Sequence, residues 1–279
     1  NSVAVANHFA SAAPFSVQVI RHASNAGLLS NLESALSRAL MVADVIAFAD
    51  QDDVWAPEKL EKVEEAFADP STLIWFSDAE FIDEQGSPYG HRLWEALGLT
   101  AITDLNEPQH LYRFITGATV TGTATAARAN LIQAALPFPR SKDVDGNFHY
   151  LHDGWLALLA FLREGVFLEP ATLTSYRQHT GQYTAMSLLN AATSDHRPPP
   201  RTLSVQNITG EHQRWSSAIE HLQRPATLGF LGGQVPQPIL ERGAYLQHRA
   251  DLVSGRGSAL TWLRLCARGD YRRFANGWR

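Results

Sequence analysis

Three carboxylates crowd into four positions where Phe48-Ala49 gives way to Asp50-Gln51-Asp52-Asp53, followed by Val54-Trp55. Anions this close repel one another unless solvent or a cation relieves them. Divalent, oxygen-seeking ions do this, and Mg²⁺ in particular keeps waters while sharing one or two carboxylates with substrate phosphates. The competing reading is an ordinary solvated turn that carries the acid at a helix start. A further acid, Asp153 in Tyr150-Leu151-His152-Asp153-Gly154-Trp155, stands where a helix opens, and there a helix cap is the simple role for an aspartate.

The surrounding pattern predicts how these residues are carried. Residues 2–11 read as a short helix and Ser16–Ile20 as a strand; Leu29, Leu32, Leu36 and Leu40 recur at helical spacing over 28–42. Val45-Ile46-Ala47-Phe48-Ala49 is a compact apolar run, expected as a buried strand parallel to its neighbours. It delivers the acids to its carboxyl end, where open α/β sheets bind ligands. Pro57-Glu58-Lys59 opens the next helix. Strands are expected at 73–76, 118–126, 166–169 and 172–177, with helices at 129–136 and 152–163. Beyond residue 185, past Pro198-Pro199-Pro200, the chain reads as helical without strands, which sets an expected division into 1–184 and 185–279.

The bulk composition excludes several classes. With 45% hydrophobic and 18% charged residues the chain can bury a full core, and a net charge of −5 speaks against a general nucleic-acid binder. The single cysteine, Cys266, rules out an intrachain disulfide and a zinc site built on several cysteines. No apolar run reaches the roughly 20 residues of a membrane span, so a soluble or peripheral protein is expected; the lone cysteine fits a reducing compartment, and the expected location is cytoplasmic. Phosphate-loop and nucleophile-elbow motifs are absent, and Asp143-Val144-Asp145-Gly146 departs from a calcium loop at its third ligand and closing glutamate.

Asp50-Gln51-Asp52-Asp53-Val54-Trp55 with Glu58-Lys59-Leu60 resembles the signature of glycosyltransferase family 2, in particular its bacterial rhamnosyltransferase-like members. Asn25-Ala26-Gly27…Asn31 and Phe76-Ser77-Asp78…Ile82-Asp83-Glu84-Gln85-Gly86 resemble flanking segments of the same family, in the same order. So do Thr116-Gly117-Ala118-Thr119 and Leu136-Pro137-Phe138-Pro139. The resemblance implies a GT-A-like mixed α/β sheet flanked by helices, truncated at its N-terminus, with a helical C-terminal extension. It implies an inverting transfer of rhamnose or another hexose from a nucleoside diphosphate to a bacterial cell-surface glycan, saccharide or lipid-linked, with no nucleic acid as partner. Family members begin with an apolar strand, a turn and a second strand. Residue 1 corresponds to a point just after these, so the expectation is a longer natural protein or a degraded, weakly active relative.

The same resemblance implies roles. Asp153 would be the general base, which direct displacement at an anomeric carbon requires; Gly154 stands where a tryptophan is common. Asn25, Gly27, Asp50, Asp53 and Arg177 would bind the donor, and Trp55 and Trp155 the acceptor. Asp52 and His179 would hold Mn²⁺ or Mg²⁺, the imidazole favouring Mn²⁺. Tyr176-Arg177-Gln178-His179 would close over the donor, with Gly181-Gln182 departing from the asparagine usual there. The alternatives are a non-catalytic glycan- or nucleotide-sugar-binding domain and a metal-dependent phosphohydrolase. Finally, Arg249, Arg256, Arg264, Arg268, Arg272 and Arg273 interleave with Leu260, Trp262, Leu263, Leu265, Tyr271 and Phe274. This suits either peripheral contact with anionic lipid on the inner face of the membrane or a packed helix with a solvated basic face.

Overall fold

The computed structural model of the chain describes residues 2–116, 120–143, 145–179, 205–267 and 269. The chain forms two compact units, Asn1–Ala43 and Asp44–Arg279.

The first unit holds α1 (Ser2–Ala12) and α2 (Leu28–Ala39). Helix α2 buries Leu29 and Leu36 of its leucine stripe. Residues 13–27 form neither helix nor strand, so the expected strand at Ser16–Ile20 is absent. An extended segment needs partner strands to persist, and the described part of this unit contains none.

The second unit is built on a six-stranded mixed sheet: β1 (Val45–Ala47), β2 (Val54–Trp55), β3 (Ile74–Ile82), β4 (Pro88–Arg92), β5 (Thr125–Arg128) and β6 (Val166–Arg177), in the order β1-β5-β3-β6-β2, with β4 paired to β3. Only β3 and β6 run parallel; the other pairs are antiparallel. The apolar run at residues 45–49 therefore departs from expectation in two ways. It is antiparallel to β5, and β1 is half-buried because it ends the strand order with a partner on one edge only. The central position belongs to β3, whose Ile74, Trp75 and Phe76 are fully buried. The two strands expected at 166–169 and 172–177 are one. Its pairing with β3 runs as far as Ser77↔Glu169 and resumes at Asp78↔Thr172. Pro170, which has no N–H to give, is accommodated in the resulting bulge.

Helix α3 (Lys59–Phe67) lays Val63, Ala66 and Phe67 on Trp75, Ala126 and Leu173. Next come α4 (Leu93–Leu97), α5 (Leu111–Thr116), α6 (Ala129–Ala135) and α7 (His152–Phe161). From Gly154 to Phe161 every residue of α7 is buried, as suits a helix apolar all round. The strand expected at 118–126 is shorter. A 3₁₀ turn occupies Gly122–Ala124, β5 begins at Thr125, and residues 117–119 lie outside the described residues.

Among the described residues after 204 there are only helices: α8 (Val205–Leu222), α9 (Pro225–Phe230), α10 (Gln237–Val253) and α11 (Ala259–Ala267). The expected boundary at 184/185, the Gly181-Gln182 departure and the proline run fall outside the described residues. The start of α9 is fastened to α6 and the turn after it: Thr227 donates its hydroxyl to Ala134 O (2.8 Å), and Arg224 reaches Pro137 O (2.9 Å). The architecture is a mixed α/β sheet flanked by helices with C-terminal helices, consistent with a GT-A-like fold. Among the described residues no helix is long and apolar enough to cross a membrane.

Candidate active site

Strand β1 hands the chain to buried Phe48, whose N–H still bonds Thr125 O (3.0 Å), and the acids follow in the turn before β2. The end of β6 shapes that turn. Arg177 donates its N–H to Asp53 Oδ1 (2.8 Å), Nε to Asp52 O (2.7 Å), and Nη1 to Asp83 O (2.9 Å) and Glu84 O (3.0 Å). One side chain thus fastens the acidic turn to the turn after β3. Two residues on, His179 Nε2 lies 2.8 Å from Asp52 Oδ2. Arg177, expected as a donor ligand, thus engages main-chain carbonyls of the acidic turn and of the turn after β3 through Nε and Nη1.

Burial lifts Asp53 to about 6 against the pull of the Arg177 N–H and, more weakly, of the Thr123 hydroxyl. Its Oδ2 is buried and makes no hydrogen bond of ordinary geometry, although the Thr123 hydroxyl stands close enough to pull the pKa down. Asp50 keeps access to solvent, and its carboxyl is raised by desolvation first, then by the Asp52 charge. His152 and Lys59 pull it down and Asp153 pushes it up. Asp50 thus feels charges both of its own turn and of the opening of α7.

Asp153 is the second residue of α7; the cap position belongs to Leu151, with no side-chain cap bond. Its Oδ2 accepts the Gly122 N–H (3.0 Å) and its Oδ1 the Gly154 N–H (2.7 Å). Each oxygen is oriented while keeping a lone pair for another donor. Gly122 has to be small: a Cβ there would stand 2.7 Å from His152 Nε2 and 3.8 Å from Asp153 Oδ2. The His152 ring is itself set against Phe48 and Phe138 at 5.2 and 6.3 Å between ring centres.

Lys59 had no role assigned from sequence, yet it is the fully buried cation of the site. Its Nζ donates to Thr123 O (2.6 Å) and Thr174 Oγ1 (2.8 Å) and lies 4.2 Å from the centre of the Trp55 ring. Desolvation drops its pKa to about 7, opposed by the Asp53 and Asp50 charges. The signal was available: Lys59, Val63, Ala66 and Phe67 share one helical stripe, whereas Leu60 beside it is exposed.

The two aromatics fare differently. Trp55 is half-buried beneath Lys59. Trp155 is 1% exposed, its ring edge-on to Tyr150 and His221; it packs the core and presents no face to an acceptor. Asn25 and Gly27 lie in the first unit, where Asn25 Oδ1 accepts the Gly27 N–H (2.8 Å) and Gly27 takes φ 76° before α2. With His22, Ser24, Ala26, Leu28 and Asn31 they line a hollow of about 310 Å³.

Among the described residues no group of three or more His, Cys, Asp or Glu is placed to hold a metal alone. The Asp52 carboxylate and the His179 imidazole are nonetheless a fitting donor pair for a divalent ion that completes its shell from water and substrate phosphate.

Residues 1–132 match the family model of glycosyl transferase family 2. That match supports glycosyltransferase activity in general, with a nucleotide-sugar donor and an acceptor. It covers just under half the chain and takes in the acidic turn, Lys59 and Gly122; Asp153, Arg177 and His179 lie beyond it. No curated protein matches the chain.

Proposed function

We propose that the chain is an inverting, metal-dependent glycosyltransferase that moves rhamnose or another hexose from a nucleoside diphosphate to a bacterial cell-surface glycan. The observation that carries this reading is the packing of Phe48, two residues before Asp50, on His152, the residue before Asp153, at 5.2 Å between ring centres; in keeping with it, the Asp153 charge helps to raise the Asp50 carboxyl. On that packing we take the acidic turn and the candidate base to serve one reaction space.

In this reading Asp153 takes the proton of the acceptor hydroxyl as that oxygen attacks the anomeric carbon. The new C–O bond forms on the face opposite the diphosphate, and the bond from the anomeric carbon to the diphosphate oxygen breaks with its electron pair leaving on the diphosphate. Asp52 and His179 would hold Mn²⁺ or Mg²⁺, which when bound stabilises the departing charge as a Lewis acid. Asp50 and Asp53 contact the donor, Arg177 keeps the turn in place, and Lys59 offsets the carboxylates from beneath.

Asp153→Asn keeps the shape but cannot accept the proton. Transfer should fall by about 10²- to 10⁴-fold, while calorimetry with a nucleoside diphosphate and Mn²⁺ shows unchanged binding. Equal rates in the variant would remove Asp153 as the base. A wild-type chain without metal-linked nucleotide binding would instead support a non-catalytic binding domain.

A further inference from the structure

The C-terminal stretch stands apart in charge. Residues 249–279 carry seven arginines against two aspartates, within a chain whose net charge is −5. Helix α11 lies in this basic stretch. It is seated by Leu265, which is 4% exposed, while Leu260, Trp262 and Leu263 are 57, 47 and 54% exposed. In the second unit the other large exposed apolar residues, Val54, Leu60, Tyr89 and Phe167, are scattered along the sequence. Beside the apolar group, Arg264 is exposed in the last turn of α11 and Arg256 is 70% exposed just before the helix, 3.5 Å from Asp251. Ser258 receives the Thr261 N–H (3.2 Å) and so fixes where the helix begins.

We propose that α11 and its neighbouring arginines dock on an anionic lipid bilayer. Leu260 and Leu263 are one turn apart on one face of the helix with Arg264 beside them, and Trp262 stands to the side; at the headgroup boundary the leucines would enter the acyl edge while the guanidinium reaches phosphate. The basic excess supplies the electrostatic share of binding. A second copy of the chain fits less well. Nine helical residues span only about 13 Å, far short of the roughly 800 Å² per partner of a stable interface, and a symmetric contact would set arginine against arginine. This inference does not depend on the proposed transfer reaction, since it concerns binding alone.

The test is cosedimentation of the full chain with phosphatidylcholine vesicles, with and without phosphatidylglycerol, at low and high ionic strength. Binding should require the anionic lipid and weaken with salt. Each arginine near such a surface contributes roughly fivefold, so Arg256→Gln with Arg264→Gln should lower partition by roughly 20-fold or more. Leu260→Ser with Leu263→Ser should also reduce binding while leaving the melting curve in place, because both side chains are exposed. The proposal is overturned by an absence of vesicle binding, by equal binding to neutral vesicles, or by variants that bind like the parent. It is also overturned by sedimentation velocity showing a dimer that the leucine variants dissociate.

Discussion

Asp78 in the middle of β3 and the Asp50–Asp53 turn after β1 both hold carboxylates away from bulk water, and their surroundings differ in kind. Asp78 is 1% exposed; its Oδ1 accepts the N–H groups of Ala79 and Trp94 (2.8 and 2.9 Å), and Arg92 Nη1 stands 3.2 Å from Oδ2. Burial still raises its pKa, but these partners oppose the rise. In the turn, Asp53 Oδ2 makes no hydrogen bond of ordinary geometry, Asp50 and Asp52 repel each other, and the buried cation below, Lys59, bonds a carbonyl and a hydroxyl. Asp78 and Asp53 each leave a buried Oδ2 without a hydrogen bond of ordinary geometry; beside Asp78 a guanidinium at 3.2 Å compensates it, whereas Asp53 has the like charges of Asp50 and Asp52 for neighbours.

Substitution in the two places should separate these roles. Asp52→Asn should lower transfer by at least about 100-fold and abolish the Mn²⁺-dependent rise in melting temperature that the proposed function expects with nucleoside diphosphate. Asp78→Ala should cost about 3 kcal/mol of stability, because it strands two buried N–H groups and a paired arginine, yet leave that metal-dependent rise intact. If Asp78→Ala removed the rise and Asp52→Asn did not, the contrast would be reversed.

Lys59 sharpens the comparison through pH. Its folded-state pKa, about 7, lies below the ordinary 10.5. Between those values the unfolded chain holds more protons, so this residue makes stability rise with pH across the window. Lys59→Met, which keeps the volume and removes the charge, should flatten that rise in denaturant titrations run from neutral pH upward. An unchanged slope would mean that the ammonium carries no desolvation cost. The smallest effect is expected at Gly122. Gly122→Ala must push aside a His152 ring backed by Phe48 and Phe138. It should cost about 1 kcal/mol, with a visible shift of the His152 ring resonances and a several-fold drop in transfer.

The acids, the β1 position and the helices at 129–136 and 152–163 were legible because each rests on local patterning: an apolar run that ends in a turn, or a stripe at helical spacing. What eluded the sequence was set by partners distant along the chain. For Arg177, nothing local showed that Nε and Nη1 reach carbonyls of residues 52, 83 and 84, a match only the sheet creates. Trp155 looked available beside an acid, but it belongs to an unbroken buried run on α7, and that run was itself the warning. The direction of β1 was misjudged because a short apolar run reads the same in either orientation, and the orientation comes from its pairing with β5.

The Arg177 clip also ties two events together. Residues 177 and 179 reach the main chain and the side chain of the same aspartate from one strand end. A shift at the end of β6 would therefore free the Asp52 carbonyl and withdraw the imidazole in one movement. The Asp52–His179 contact forms or dissolves together with the Arg177 bond to the same residue, governed by how firmly β6 stays in register along β3.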